Sequence, residues 1–97
     1  MAYVRLSEVD WIDGSGKYVR LHSANGKPLL RTPLGKLYAQ LDPSRFARIH
    51  RSAIVNLDCV KAMQRYFPGD YVVILRSGTR LRLSRSYRQE LEDRMRR

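Results

Sequence analysis

The chain is predicted to be mainly β, a fold of short antiparallel strands with two short helices near residues 34–41 and 86–95. Two observations carry this. Strand-favouring runs recur along the chain, each closed by a turn containing Gly, Asn or Pro. Helical apolar spacing, by contrast, occurs only twice. The length of 97 residues, 43% of them hydrophobic, suits one modest core, so residues 1–97 are expected to form a single domain.

Val9 to Asp13 is the first apolar-rich run, closed by Gly14-Ser15-Gly16. Tyr18 to His22 alternates as a strand, and Ala24-Asn25-Gly26 supplies an Asn-Gly hairpin signal, after which Pro28 to Arg31 should return as the partner. Thr32 then reads as a helix N-cap with Pro33 at the first helical position. Leu34, Leu37, Tyr38 and Leu41 follow at i, i+3, i+4 and i+7, and Asp42-Pro43 stops the helix. From Arg45 to Leu57 two strand-like apolar segments flank the polar triplet His50-Arg51-Ser52. A short strand over Val60 to Arg65 leads into a Pro68-Gly69-Asp70 turn. Tyr71 to Leu75 is strongly strand-like, and Ser77-Gly78 returns it into Arg80 to Leu83. There Leu81 and Leu83 should face one side, Arg80 and Arg82 the other. Ser84 or Ser86 can cap the last helix, whose apolar side is Tyr87, Leu91 and Met95.

Nineteen Lys and Arg against nine Asp and Glu give a formal charge of +10. The excess is lopsided: between Tyr71 and Gln89 stand Arg76, Arg80, Arg82, Arg85 and Arg88, with no acid among them. Such a surface favours a phosphate-rich partner, and nucleic acid is the commonest. No apolar run approaches the ~20 residues that span a bilayer, and no signal-peptide pattern opens the chain. Cys59 is the only cysteine, which excludes an internal disulfide and reads as a small buried hydrophobe in a reducing compartment. A cytoplasmic location is expected, with no membrane contact.

Enzyme chemistry finds little support. His50 and Ser52 are two residues apart, yet no G-x-S-x-G elbow surrounds the serine. One Cys and two scattered His do not make a metal site, and no cofactor motif is present, so neither a metal nor a cofactor is expected. His22, closing a strand, reads as an exposed strand residue. For the triplet a different use is indicated. Arg51 is shaped for two parallel hydrogen bonds to guanine or to a phosphate. Ser52 can serve as a phosphate or capping ligand, and His50 is expected to orient the turn rather than touch a base. Lys17 lies at the tip of a glycine-flanked turn, as a solvated lysine or a DNA contact. Arg85, between Ser84 and Ser86 at a strand-to-helix junction, sits where backbone N–H groups attract phosphate. No helix-turn-helix, zinc-finger spacing or base-stacking aromatic pair is visible.

The segment RFARIHRSAIVNLDCVKAM, followed by GTRLRLSRSYRQEL, closely resembles the LytTR family of bacterial DNA-binding domains, the output domains of LytR/AlgR-type response regulators. The family's F-x-R-x-HRS-x-IVN core appears as Phe46, Arg48, His50, Arg51, Ser52, Ile54, Val55 and Asn56, and its late SR-x-Y segment as Ser84, Arg85 and Tyr87. WIDGSGKYVRLHSANG is similar to the family's first strand pair and RTPLGKLYAQL to its helix; where the family commonly has Glu-Ala before the first turn's glycine, Ile12-Asp13 stands here. The resemblance implies an elongated, mainly β domain that binds double-stranded promoter DNA from one side, enters two successive major grooves and bends the duplex. Carried over by position, the base contacts fall on Lys17, Arg51 and Arg85, while His50 and Asn56 are structural, Asn56 tying the backbone of a neighbouring loop. Arg48, Arg80, Arg82 and Arg88, with Ser52, Ser84 and Ser86, would supply phosphate contacts. Two copies on direct repeats are expected, together with a receiver or sensor domain outside this sequence. The alternatives are a basic RNA-binding β-domain and a protein-interaction or sensory module that docks an acidic partner.

Overall fold

Eight strands pair into two antiparallel sheets, in a computed structural model that describes residues 4–66 and 69–96. Strands β1 (Val9–Ser15), β2 (Tyr18–Ser23), β3 (Leu29–Arg31), β4 (Phe46–His50) and β5 (Ala53–Asn56) form the first sheet, in the order β3-β2-β1-β5-β4. Strands β6 (Val60–Tyr66), β7 (Asp70–Leu75) and β8 (Arg80–Leu83) form the second as a meander. The helices are α1 (Leu34–Tyr38) and α2 (Arg85–Met95), and single 3-10 turns lie at Leu6–Glu8 and Leu57–Cys59. The molecule is elongated, with principal extents of 43 × 25 × 23 Å.

The first sheet has a core on each face, which explains its unbroken apolar stretches. On one face Val9, Ile12, Val19, Leu21, Phe46 and Ile54 pack with Leu34 and Leu41 from the α1 region. On the other, Ala47, Ile49, Ala53 and Val55 meet the inner face of the second sheet and Leu91 of α2. Strand β5 is buried at all four residues because it lies between β1 and β4 and is covered above and below. In β8 the alternation read from sequence holds, with Leu81 and Leu83 buried and Arg80 and Arg82 exposed.

Several local expectations are corrected. Helix α1 ends at Tyr38 rather than near 41. Its continuation tightens into i→i−3 bonds, Gln40 N to Leu37 O and Leu41 N to Tyr38 O, before Asp42 starts a new turn by accepting from the Ser44 amide and hydroxyl. Pro33, not Thr32, is the N-cap, and the Thr32 hydroxyl donates to the Pro33 carbonyl instead of capping the helix. The second hairpin turns on Ala24-Asn25 rather than Asn25-Gly26, because Ser23 pairs with Gly26 and its hydroxyl also donates to the Gly26 carbonyl. Helix α2 starts one residue early, at Arg85, and its Met95 is 40% exposed. The last turn is held instead by Arg94, which donates to the Phe46 carbonyl at 2.6 Å. Of the expected Pro68-Gly69-Asp70 turn, Pro68 lies outside the described residues.

His22 is not an exposed strand residue. Its side chain is only 17% exposed, its ring stacks on Trp11 at 3.9 Å, and Nε2 lies 3.2 Å from Asp13 Oδ1. Pairing of Trp11 with His22 across β1 and β2 puts the two rings side by side. Cys59 is half-buried against Asp10, and burial first, then the Asp10 hydrogen bond, pushes its thiol up to about 11. The thiolate is the reactive form, so the native protein should resist iodoacetamide at pH 7.5 while the urea-unfolded chain is alkylated readily. Intact-mass spectrometry distinguishes the two; equal rates would contradict this burial.

Candidate nucleic-acid interface

Strand register and backbone hydrogen bonds set three separate parts of the chain beside the same end of the first sheet. The β1–β2 hairpin turns on Gly16-Lys17, where Gly16 takes φ +61, a conformation open to glycine at little cost. Strand β5 begins opposite Asp13 of β1, so the β4–β5 turn, Arg51-Ser52, lies beside that hairpin. The Gly14 amide donates to the Ser52 carbonyl at 3.0 Å and ties them together. Gly14 must be small for another reason: a Cβ there would lie 2.9 Å from Leu34 Cβ, where α1 crosses β1. The third part is the start of α2, held by the Ser84 amide donating to the Ile49 carbonyl at 2.8 Å. Lys17, Arg51 and Arg85, far apart in sequence, are all exposed and belong to these three segments.

The polar triplet that interrupts the strand pattern spans the end of β4 and a two-residue hairpin turn. His50 closes β4, Arg51 and Ser52 make the turn, and Ala53 opens β5. His50 Nδ1 accepts the Ser52 amide at 3.2 Å and lies 2.8 Å from the Ser52 hydroxyl. Thus the imidazole caps the turn, and the Ser52 hydroxyl is engaged within it. Arg48, expected among the phosphate contacts, is half-buried and already engaged: Nη2 donates to the Arg51 carbonyl and Nε to the His50 carbonyl. Its guanidinium also lies 6.0 Å from the centre of the Tyr87 ring. With those carbonyls and the Ser52 amide partnered, the Arg51 side chain extends into solvent.

The remaining basic residues divide into engaged and free groups. Arg88 is paired with Glu92 at 3.0 Å and sits over the Tyr71 ring at 4.9 Å, so its charge is already partnered. Arg80 lies over the Tyr66 ring at 5.5 Å and touches Gln64 Oε1 at 3.4 Å, but it remains exposed on the outer face of the second sheet. Arg82 is exposed and borders two hollows, one beside His50 and Ser52, the other beside Ser84 and Arg85. Ser84 is the N-cap of α2, and its hydroxyl lies 3.3 Å from that of Ser86 rather than on a helix amide. Gly69 carries a role invisible in sequence. At φ +137 it leaves room for the Arg85 guanidinium, and a Cβ there would come within 3.1 Å of Arg85 Nη2.

Asn56 lies at the opposite end of the sheet from these turns. It is 2% exposed, its Nδ2 donates to the Val9 carbonyl at 2.9 Å, and its Oδ1 accepts the Asp58 amide at 3.0 Å. One side chain therefore joins the start of β1 to the turn after β5. Among the described residues no group of three or more His, Cys, Asp and Glu stands close enough to hold a metal ion. Nor is any described helix long and apolar enough to cross a membrane.

Comparison with known proteins gives a consistent picture. The model of the LytTr DNA-binding domain family matches residues 1–96. The transcriptional regulatory protein LytR of Staphylococcus aureus (strain N315) is 35% identical over 72 residues, which cover 74% of this chain and 29% of that protein. The CO-responsive transcriptional regulator RcoM of Rhodospirillum rubrum is also 35% identical over 72 residues, 74% of this chain and 30% of its own. The chain thus spans less than a third of the length of these curated relatives. A solved LytTr DNA-binding domain from Bacillus cereus superposes with a TM-score of 0.85 at 23% identity, covering 95% of this chain and 84% of that one. At that identity the likeness speaks for the fold.

Proposed function

Because the chain belongs to the LytTr DNA-binding domain family, we propose that it is a sequence-specific reader of double-stranded promoter DNA that regulates transcription, a binding module and not an enzyme. In this reading residues 1–97 act as one domain, and Arg51 and Arg85, with Lys17 at the hairpin tip, contact base edges in successive major grooves. Arg80, Arg82, Ser84 and Ser86 meet phosphates along the way and the duplex bends towards them. Arg48, Arg88 and Ser52 contribute less directly, since their polar groups already have partners within the protein. Two copies occupy direct repeats, and a receiver or sensor domain elsewhere in a longer protein passes the signal on. Base readout needs rigid donors aimed into a groove, whereas phosphate contacts need only charge.

The observation that carries this reading is that three exposed cations stand on segments beside the same end of the first sheet, and the Gly14–Ser52 and Ser84–Ile49 backbone bonds tie those segments to it. Composition alone would allow an RNA-binding domain, but Tyr38, Tyr87 and Trp11 pack against the cores instead of forming a stacking platform. Selection from a random double-stranded DNA pool, at low and at physiological salt, tests the proposal. It should enrich a short motif in spaced direct repeats that survives the higher salt. Binding that enriches no motif and vanishes as salt rises would refute it. Arg80→Ala should then weaken motif-bearing and random duplexes equally and lower the slope of log affinity against log salt by about one. Fluorescence-anisotropy titrations across a salt series read both quantities.

A further inference from the structure

We infer that Arg48 is a positioning residue for sequence readout, a brace that holds the β4–β5 turn so that Arg51 is presented in one conformation; this rests on the reading of Arg51 as a base contact. Exposed two-residue turns that carry a long side chain ordinarily sample several backbone states, and binding must then suppress all but one. Here the turn's own strand supplies a partner. Arg48 enters from β4, two residues before the strand ends, and its guanidinium bridges the carbonyls of His50 and Arg51. A planar fork with several fixed donors can satisfy two adjacent carbonyls at once, which a lysine cannot do in the same geometry.

The brace is itself confined. The Tyr87 ring of α2 lies on one side, and on another a Cβ at Gly35 of α1 would stand 3.8 Å from Arg48 Nη1. From the opposite side of the turn His50 Nδ1 takes the Ser52 amide, and the Ser52 carbonyl takes the Gly14 amide. Arg48 therefore completes a set of bonds that fixes the backbone from His50 to Ser52. Two of its donors are spent on the turn, where they orient Arg51 without needing to touch DNA.

Five proteins test this: the parent, Arg48→Ala, Arg48→Lys, Arg51→Ala and the Arg48→Ala/Arg51→Ala double variant that closes a cycle. Affinities are measured for the duplex enriched by selection and for a random-sequence duplex, at two salt concentrations. Arg48→Ala should reduce the ratio of selected to random affinity roughly tenfold, within the range a well-placed bidentate base contact supplies. Random-duplex affinity and the salt slope should hardly change. Arg48→Lys, which keeps the charge, should not restore the ratio. In the Arg51→Ala background, loss of Arg48 should cost no further discrimination.

Rescue by Lys, or equal weakening of both duplexes with a flatter salt slope, would overturn the proposal and make Arg48 a phosphate ligand. Undiminished loss of discrimination in the Arg51→Ala background would overturn it as well, because Arg48 would then act through another group. If Arg51→Ala alone leaves discrimination intact, the base-contact reading fails, and the brace is judged by amide hydrogen exchange. Exchange at Ser52 should be at least tenfold faster in Arg48→Lys, and an unchanged rate would refute the brace.

Discussion

Arg51→Ala is expected to lower affinity for the selected duplex by a factor of about 5 to 150, the equivalent of ~1–3 kcal/mol, and to change random-duplex affinity by no more than about threefold. The reasoning runs from the turn outward. Arg51 is exposed, and its backbone is bound on both sides by Arg48 and His50, so the truncation removes a solvent-facing side chain without disturbing any core residue. Stability should therefore be almost unchanged. One lost phosphate contact would weaken every duplex alike and flatten the salt slope, whereas a lost base contact weakens one sequence. Parallel titrations of the two duplexes decide between these. Equal losses would remove Arg51 from the base-reading set.

Asn56→Ala should cost about 2–3 kcal/mol of stability, far more than truncation of any exposed interface cation. Asn56 is 2% exposed and Val9, whose carbonyl it serves, is fully buried, so water cannot replace the lost donor. The Asp58 amide loses its acceptor too, and with it the capping of the Leu57–Cys59 turn. For a domain of this size the thermal midpoint should fall by roughly 10–20 °C. Well below that midpoint the remaining folded protein should still prefer the selected duplex, since the Arg51 turn lies at the other end of the sheet. Thermal unfolding followed by circular dichroism gives the shift. A fall of under 2 °C would mean that the buried carbonyl finds another partner.

Both behaviours were partly legible in the sequence, and the reasons differ by residue. The alternation in Arg80 to Leu83 has the two-residue period of a strand with one buried face, and it translated directly into orientation. Arg51 stands out in the sequence because a guanidinium held between apolar segments needs either a partner or solvent. The engagement of Arg48 with the turn is not legible, because it depends on where the chain reverses; one residue's difference in the turn would put the same side chain on the other face. Nor is the burial of His22, which follows from the cross-strand register that sets it against Trp11. The room that Gly69 leaves for Arg85 joins β7's entrance to the start of α2, a contact between segments whose spacing in sequence carries no periodic signal. Patterns within one element survive in the linear sequence, whereas contacts made by folding one element over another do not.

The most direct test is a chemical-shift map of the backbone amides, recorded as the selected duplex is titrated into the 97-residue chain. The three-segment interface predicts that the largest changes fall at Gly16-Lys17, at His50 to Ser52 and at Ser84 to Ser86, with little movement at the far turns, Ala24-Asn25 and Ser77-Gly78. Changes centred on those far turns, or spread evenly over every exposed basic residue, would contradict it.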